Sequence, residues 1–214
     1  MRRVHLVKGT VALGLLAVIG VLIVQMTTGK HQAPAALATS ASPYRGSTPP
    51  RGLHAPDFSL RSFRGGLVRM RDLRGKAVLV TFLDTKCTDK CPIIATQIGS
   101  ALPLLPRAAR REVVALAITV DPRADSPASV RRFLQSHHAL GMDFLLGSVK
   151  KLRPVWRAFY VVAAADTGSA NSHSADARIF DRRGLWVSTL RPGVDLTPRN
   201  IVHDLVTALK RSRA

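Results

Sequence analysis

The stretch Ala77-Val78-Leu79-Val80-Thr81-Phe82-Leu83 is apolar but for one threonine, and Val113 to Val120 repeats the pattern. Runs this short and continuous predict strands buried on both faces. Between them, Ile93 to Leu102 has helical spacing and is stopped by Pro103 and Pro106. After the second strand, Asp121-Pro122 turns the chain. Ser126 and Pro127 then supply an N-cap and a first helical residue for a helix running to about His138. Phe144-Leu145-Leu146 predicts a short strand, and Ser148 opens a helix toward Tyr160 in which Pro154 is out of place. Ala177–Phe180 and Leu185–Leu190 alternate around Asp181-Arg182-Arg183-Gly184, the pattern of a hairpin. Thr197-Pro198 starts a last amphipathic helix with the stripe Ile201, Val202, Leu205, Val206 and Leu209. Upstream, Ala55 to Leu60 reads as extended, 61–66 as a turn, and Leu67 to Leu73 as a second short segment. Strand, helix, strand, helix, then hairpin and closing helix is a three-layer α/β pattern in thioredoxin-like order, occupying residues 53–214.

The first fifty residues follow different patterns. Residues 1–9 form a basic flank carrying Arg2, Arg3 and Lys8, and residues 10–28 contain no charge. The uncharged stretch reaches the length of a membrane-spanning helix. The charge asymmetry predicts a single-pass anchor with a cytoplasmic N-terminus and a domain on the periplasmic or extracellular side. A cleaved signal is the rival, with Ala36-Leu37-Ala38 as its small-x-small site, ten residues past the apolar core. Residues 29–52, rich in Ala, Ser, Pro and Gly, read as a flexible linker.

Charge adds one constraint. Lys and Arg number 32 against 13 Asp and Glu, for a formal net charge of +19. Nucleic acid is disfavoured as a partner, because the cations are scattered over every segment with no interleaved aromatics to stack bases. A basic surface facing lipid headgroups or an acidic protein partner fits better.

The candidate chemistry sits directly after the first strand, in Thr85-Lys86-Cys87-Thr88-Asp89-Lys90-Cys91-Pro92, which holds both cysteines of the chain. A ring of this size stabilises little by chain entropy, and a domain this long needs no staple. A dithiol, a disulfide and a soft-metal claw all remain compatible with the spacing. On a helix the two Cα atoms would lie about 6 Å apart on one face. A helix N-terminus, with Lys86 and Lys90 alongside, favours thiolate. No carboxylate pair, serine triad or phosphate loop accompanies them.

These residues resemble the Sco/SenC family, the membrane-anchored, copper-handling branch of the thioredoxin superfamily. Four pieces carry the resemblance: Ala55-Pro56-Asp57-Phe58, Thr85-x-Cys87-x-x-x-Cys91-Pro92, Val120-Asp121-Pro122-Arg123-x-Asp125-Ser126-Pro127, and His173-Ser174 ahead of the strand leading to Asp181. The resemblance implies a Cu(I) site, with Cu(II) as a further state, made by Cys87, Cys91 and His173. It implies a copper chaperone serving the cytochrome c oxidase subunit that carries the binuclear copper site, by delivering copper or by reducing that site's thiols. Other copper chaperones or thiol reductases would be further partners. Asp121 and Asp125 would organise the turn without binding metal. The chain departs from the family in Asp84, where an aromatic residue is common, and in Ser172, where Asp precedes the histidine.

Cu(I) chemistry agrees, since it prefers thiolates with an imidazole completing three-coordination. The Gly- and Ser-rich loop 168–174 would be mobile enough to bring His173 in and withdraw it. His137 and His138 fall at a helix end, His203 reads as packing, and His31 and His54 lie in or near the linker. The alternative is an extracytoplasmic thiol–disulfide oxidoreductase or redox sensor using Cys87 and Cys91 alone. Residues 161–178 lack the proline that such enzymes place opposite the dithiol. A peroxidase lacks its Pro-x-x-x-Thr-x-x-Cys pattern.

Overall fold

The computed structural model describes residues 42–211. One seven-stranded sheet organises them, in the order β2-β1-β5-β4-β3-β6-β7. The strands are β1 (Ser59–Ser62), β2 (Leu67–Arg69), β3 (Ala77–Leu83), β4 (Val113–Thr119), β5 (Asp143–Leu146), β6 (Ala177–Phe180) and β7 (Trp186–Leu190). The main helices are α1 (Lys90–Ala101), α3 (Pro127–Ser136), α4 (Val149–Ala158) and α6 (Pro198–Arg211), with single turns α2 (Arg107–Arg110) and α5 (Ala164–Thr167).

β3 pairs in parallel with β4 and antiparallel with β6, and β4 pairs in parallel with β5. Every residue of β3 is buried because both sheet faces are covered. Ala77, Leu79 and Leu83 pack with Ile94 and Ile98 of α1, Leu134 of α3 and Leu205 of α6. Val78, Val80 and Phe82 pack on the other face with Leu116, Trp156 and Phe159. The result is the thioredoxin-like three-layer α/β arrangement. Crossovers β3–α1–β4 and β4–α3–β5 place the loop after β3 at the carboxyl ends of the parallel strands, where open α/β sheets bind ligands.

Several local expectations sharpen. Ser126 caps α3, its Oγ accepting from Ser129 N while Ser129 Oγ accepts from Ser126 N, and Pro127 takes the first helical position. The first strand lies at 59–62, and only its register with Leu67–Arg69 makes the pair a hairpin. Pro154 does sit inside α4. It lies on the exposed face, as does Lys150, whose carbonyl loses its helical partner on the side where solvent can replace it.

The stretch 42–52, which composition assigns to the linker, rests on the domain. Ser47 bridges Thr189, and the backbone N–H groups of Arg45 and Gly46 donate to the Asp204 carboxylate at 2.7 and 3.0 Å. Gly46 is required there, since a Cβ would stand 2.3 Å from Ser188 Oγ. No described helix is long and apolar enough to cross a membrane. The anchor expected at 10–28 lies outside the described residues.

Candidate metal centre

β3 ends at Leu83, and Asp84 turns the chain: its carbonyl accepts from Cys87 N at 3.2 Å and its Oδ1 from Lys86 N at 2.8 Å. Cys87 therefore sits in this turn, ahead of the helix. α1 begins at Lys90, so only Cys91 is helical, with Pro92 tolerated in the first turn. The expectation of two cysteines on one helical face is corrected: the turn brings them together. Both are free thiols, 4% and 0% exposed.

Asp125 fixes the start of the cysteine turn from the neighbouring strand end. One oxygen accepts from Thr85 N at 3.0 Å and the other from the Thr119 hydroxyl at 2.6 Å. Asp121 accepts from Arg123 N and shapes the adjacent turn. These are the organising roles expected of the two acids.

The loop 168–175 delivers His173, and it is pinned at several points. Asn171 Oδ1 accepts from Thr88 N at 3.1 Å, clipping the histidine loop to the cysteine turn. Ser174 and Val162 exchange bonds at 3.0 Å, and Thr167 Oγ1 donates to Ser172 O. The freely mobile loop expected from its glycine and serine content is thus a braced one. His173 Nδ1 meets the Ser174 carbonyl at 2.9 Å, so it carries the proton. Nε2 is left as a lone pair, 3.2 Å from Cys91 Sγ.

The ligand atoms of Cys87, Cys91 and His173 all lie within 4.8 Å of one another. Among the described residues no other group of three such side chains converges. Two sulfurs and one imidazole nitrogen, with no carboxylate among them, suit a soft, low-coordinate ion. A structural zinc site would call for a fourth ligand.

Electrostatics favours the protonated form of Cys91. Burial pushes the Cys91 thiol well above the ordinary range, with the neighbouring Cys87 acting the same way and the Asp84 N–H opposing. The helix N-terminus and the two lysines do not win at this position, because desolvation is the larger effect. A bound cation reverses that balance by replacing the proton. Asp84 is buried, its Oδ2 meets no donor, and burial raises its pKa.

Burial also lifts Asp125 to about 6, against an ordinary 3.8, its hydrogen bonds opposing. A raised folded-state pKa means the folded protein holds this proton more tightly. The contribution to stability is therefore complete below about pH 4 and lost as pH rises through about 6. Asp125→Asn keeps an acceptor for Thr85 N and has no charge to bury. Its denaturation midpoint, relative to the parent chain, is expected to rise across that window, and a constant offset would contradict this.

Of the other histidines, His137 bonds the Phe133 carbonyl at 2.7 Å at the end of α3, and His138 is exposed just beyond it. His203 was expected to pack; it bonds Asp204 at 2.9 Å. His54 bridges Leu185 in the sheet margin, and His31 lies outside the described residues.

Comparison with known proteins adds an independent line. A family model described as SCO1/SenC matches residues 47–210. An SCO2-like protein of Rickettsia felis is 22% identical over 206 residues, covering 94% of this chain and 96% of that protein. The mitochondrial SCO2 homologue of Bos taurus is 35% identical over 115 residues, covering 51% of this chain and 41% of the bovine protein. A structure of Bradyrhizobium japonicum ScoI, described as having copper bound, superposes with a TM-score of 0.62 at 29% identity. That superposition covers 73% of this chain and all of the other.

Proposed function

Because this chain belongs to the SCO1/SenC family, we propose that it carries Cu(I) on Cys87, Cys91 and His173 and passes it to an acceptor outside the cytoplasm. The observation that carries this reading is the convergence of two thiols and one imidazole, with the imidazole already in the ligating tautomer. The likeness to a ScoI structure with copper bound supports it. On the family resemblance, the proposed acceptor is the binuclear copper site of cytochrome c oxidase. Residues 10–28 would tether the domain to the membrane that holds this acceptor.

Copper is cargo here, so the site must release it. The two thiolates supply most of the affinity, while the His173 bond can be exchanged as an incoming ligand arrives. A second reading, thiol–disulfide exchange with the acceptor's cysteines, is favoured by the adjacency of two reduced thiols. In that step a thiolate attacks the acceptor's disulfide. The second cysteine then closes a Cys87–Cys91 bridge, and two electrons and two protons leave this chain.

His173→Ala separates the two readings. Cu(I) affinity of the full chain, measured by chelator competition, is expected to fall about ten-fold, equivalent to about 1.4 kcal/mol. The Cys87–Cys91 redox couple should stay nearly unchanged. His138→Ala, exposed and outside the ligand cluster, is the control. Equal affinities for His173→Ala and the parent would move the assignment to thiol exchange.

A further inference from the structure

The two ligand thiols differ in access. Cys91 is sealed, whereas Cys87 lies on the floor of an open groove of about 620 Å³. Thr85, Lys86 and Pro92 form one side of it, and Arg132 and Phe133 of α3 form the other. Lys86 and Arg132 are both exposed, and among the described residues neither is ion-paired to a carboxylate. No acid lines the groove; Asp84, Asp89 and Asp125, each next in sequence to a lining residue, lie outside it, and Asp84 is 0% exposed and accepts from Lys86 N.

A cation on each side of the groove, with a thiol between them, describes the ligand that would fit. We propose that the groove docks an extended, acidic, cysteine-bearing segment of a partner protein. Lys86 and Arg132 hold its carboxylates, and its sulfur is brought onto Cys87. The volume suits a short peptide segment. Exposed charges of this kind act mainly on encounter rate and partner choice, and salt screens them. The sealed Cys91 leaves Cys87 as the sulfur a partner can reach, whether the traffic is copper or electrons. The inference rests on the proposed function only in naming copper as that traffic.

The test needs no copper. Two peptides, each with one cysteine, are prepared as mixed disulfides with thiopyridine, one flanked by Asp and Glu and the other by Lys and Arg. In the reaction the Cys87 thiolate attacks the peptide sulfur and the peptide–thiopyridine bond breaks. Cys87 becomes disulfide-linked to the peptide, and thiopyridine leaves with the proton and is read by absorbance. With the reduced full chain at low ionic strength, the acidic peptide is expected to react about ten-fold faster than the basic one. That advantage should shrink to about two-fold or less near 0.5 M salt. Arg132→Glu should abolish or reverse the preference while leaving the rate with neutral dithiodipyridine within about two-fold of the parent. The last comparison separates docking from a change in thiol reactivity.

Equal rates for the two peptides, or a preference untouched by Arg132→Glu, would overturn the proposal. So would protection of Cys87 by anionic phosphatidylglycerol vesicles without any peptide preference, which would assign the groove to a lipid surface. A chain that shows the preference yet binds no Cu(I) loses the copper reading and keeps the groove. The opposite result keeps copper and removes the groove.

Discussion

Cys91→Ser is expected to lower Cu(I) affinity by about a thousand-fold or more, roughly 4 kcal/mol, in competition against a Cu(I) chelator. A hydroxyl is a hard, protonated donor that does not replace a thiolate for Cu(I). The fold should survive, since serine nearly matches the volume and can donate to His173 Nε2, which now lies 3.2 Å from Cys91 Sγ. A stability change under about 1 kcal/mol is therefore expected beside the collapse in affinity. Retention of tight Cu(I) binding by this variant would place the metal elsewhere. The contrast with the ten-fold effect of His173→Ala sets the order of the ligands: sulfur holds the ion and the imidazole trims the site.

The second large effect is structural. Asp204 is 0% exposed and gathers four donors: Arg45 N at 2.7 Å, Gly46 N at 3.0 Å, Ser188 Oγ at 2.6 Å and His203 Nδ1 at 2.9 Å. Asp204→Ala would strand two backbone N–H groups and a hydroxyl. It should cost roughly 3 kcal/mol, the scale of a buried charged hydrogen-bonding group that is lost. For a domain of this size that corresponds to a Tm lower by about 6–12 °C. Amide exchange at Arg45 and Gly46 should accelerate sharply in the same variant. An unchanged Tm would show that the 42–52 stretch is held by other means.

Asp204 also marks where sequence reasoning stops. It lies three residues after Ile201, on the buried side of α6, yet periodicity treats an acid there as solvated. Two of its four partners, Arg45 and Gly46, stand about 160 residues away in the chain, and nothing local announces them. By contrast, β3 and β4 were legible because burial on both faces leaves only one threonine in each to interrupt the apolar run. The start of α3 was legible because Ser126 and Pro127 act locally. The three ligands could be named from spacing and resemblance, but not how they meet. The helix begins at Lys90 because the Asp84 turn closes first, and Asn171 braces a loop whose composition suggests mobility. The Cys91 proton affinity follows the same logic. The dipole and the lysines are visible in sequence, while the burial that outweighs them is a tertiary property.

The central claim is that these three side chains bind one copper ion together. X-ray absorption on the Cu(I)-loaded full chain tests it most directly, because sulfur and imidazole nitrogen scatter distinguishably. Two sulfurs and one imidazole per copper are predicted for the parent chain, and two sulfurs with no imidazole for His173→Ala. A parent spectrum with sulfur ligands alone, or one identical to that of His173→Ala, would contradict it.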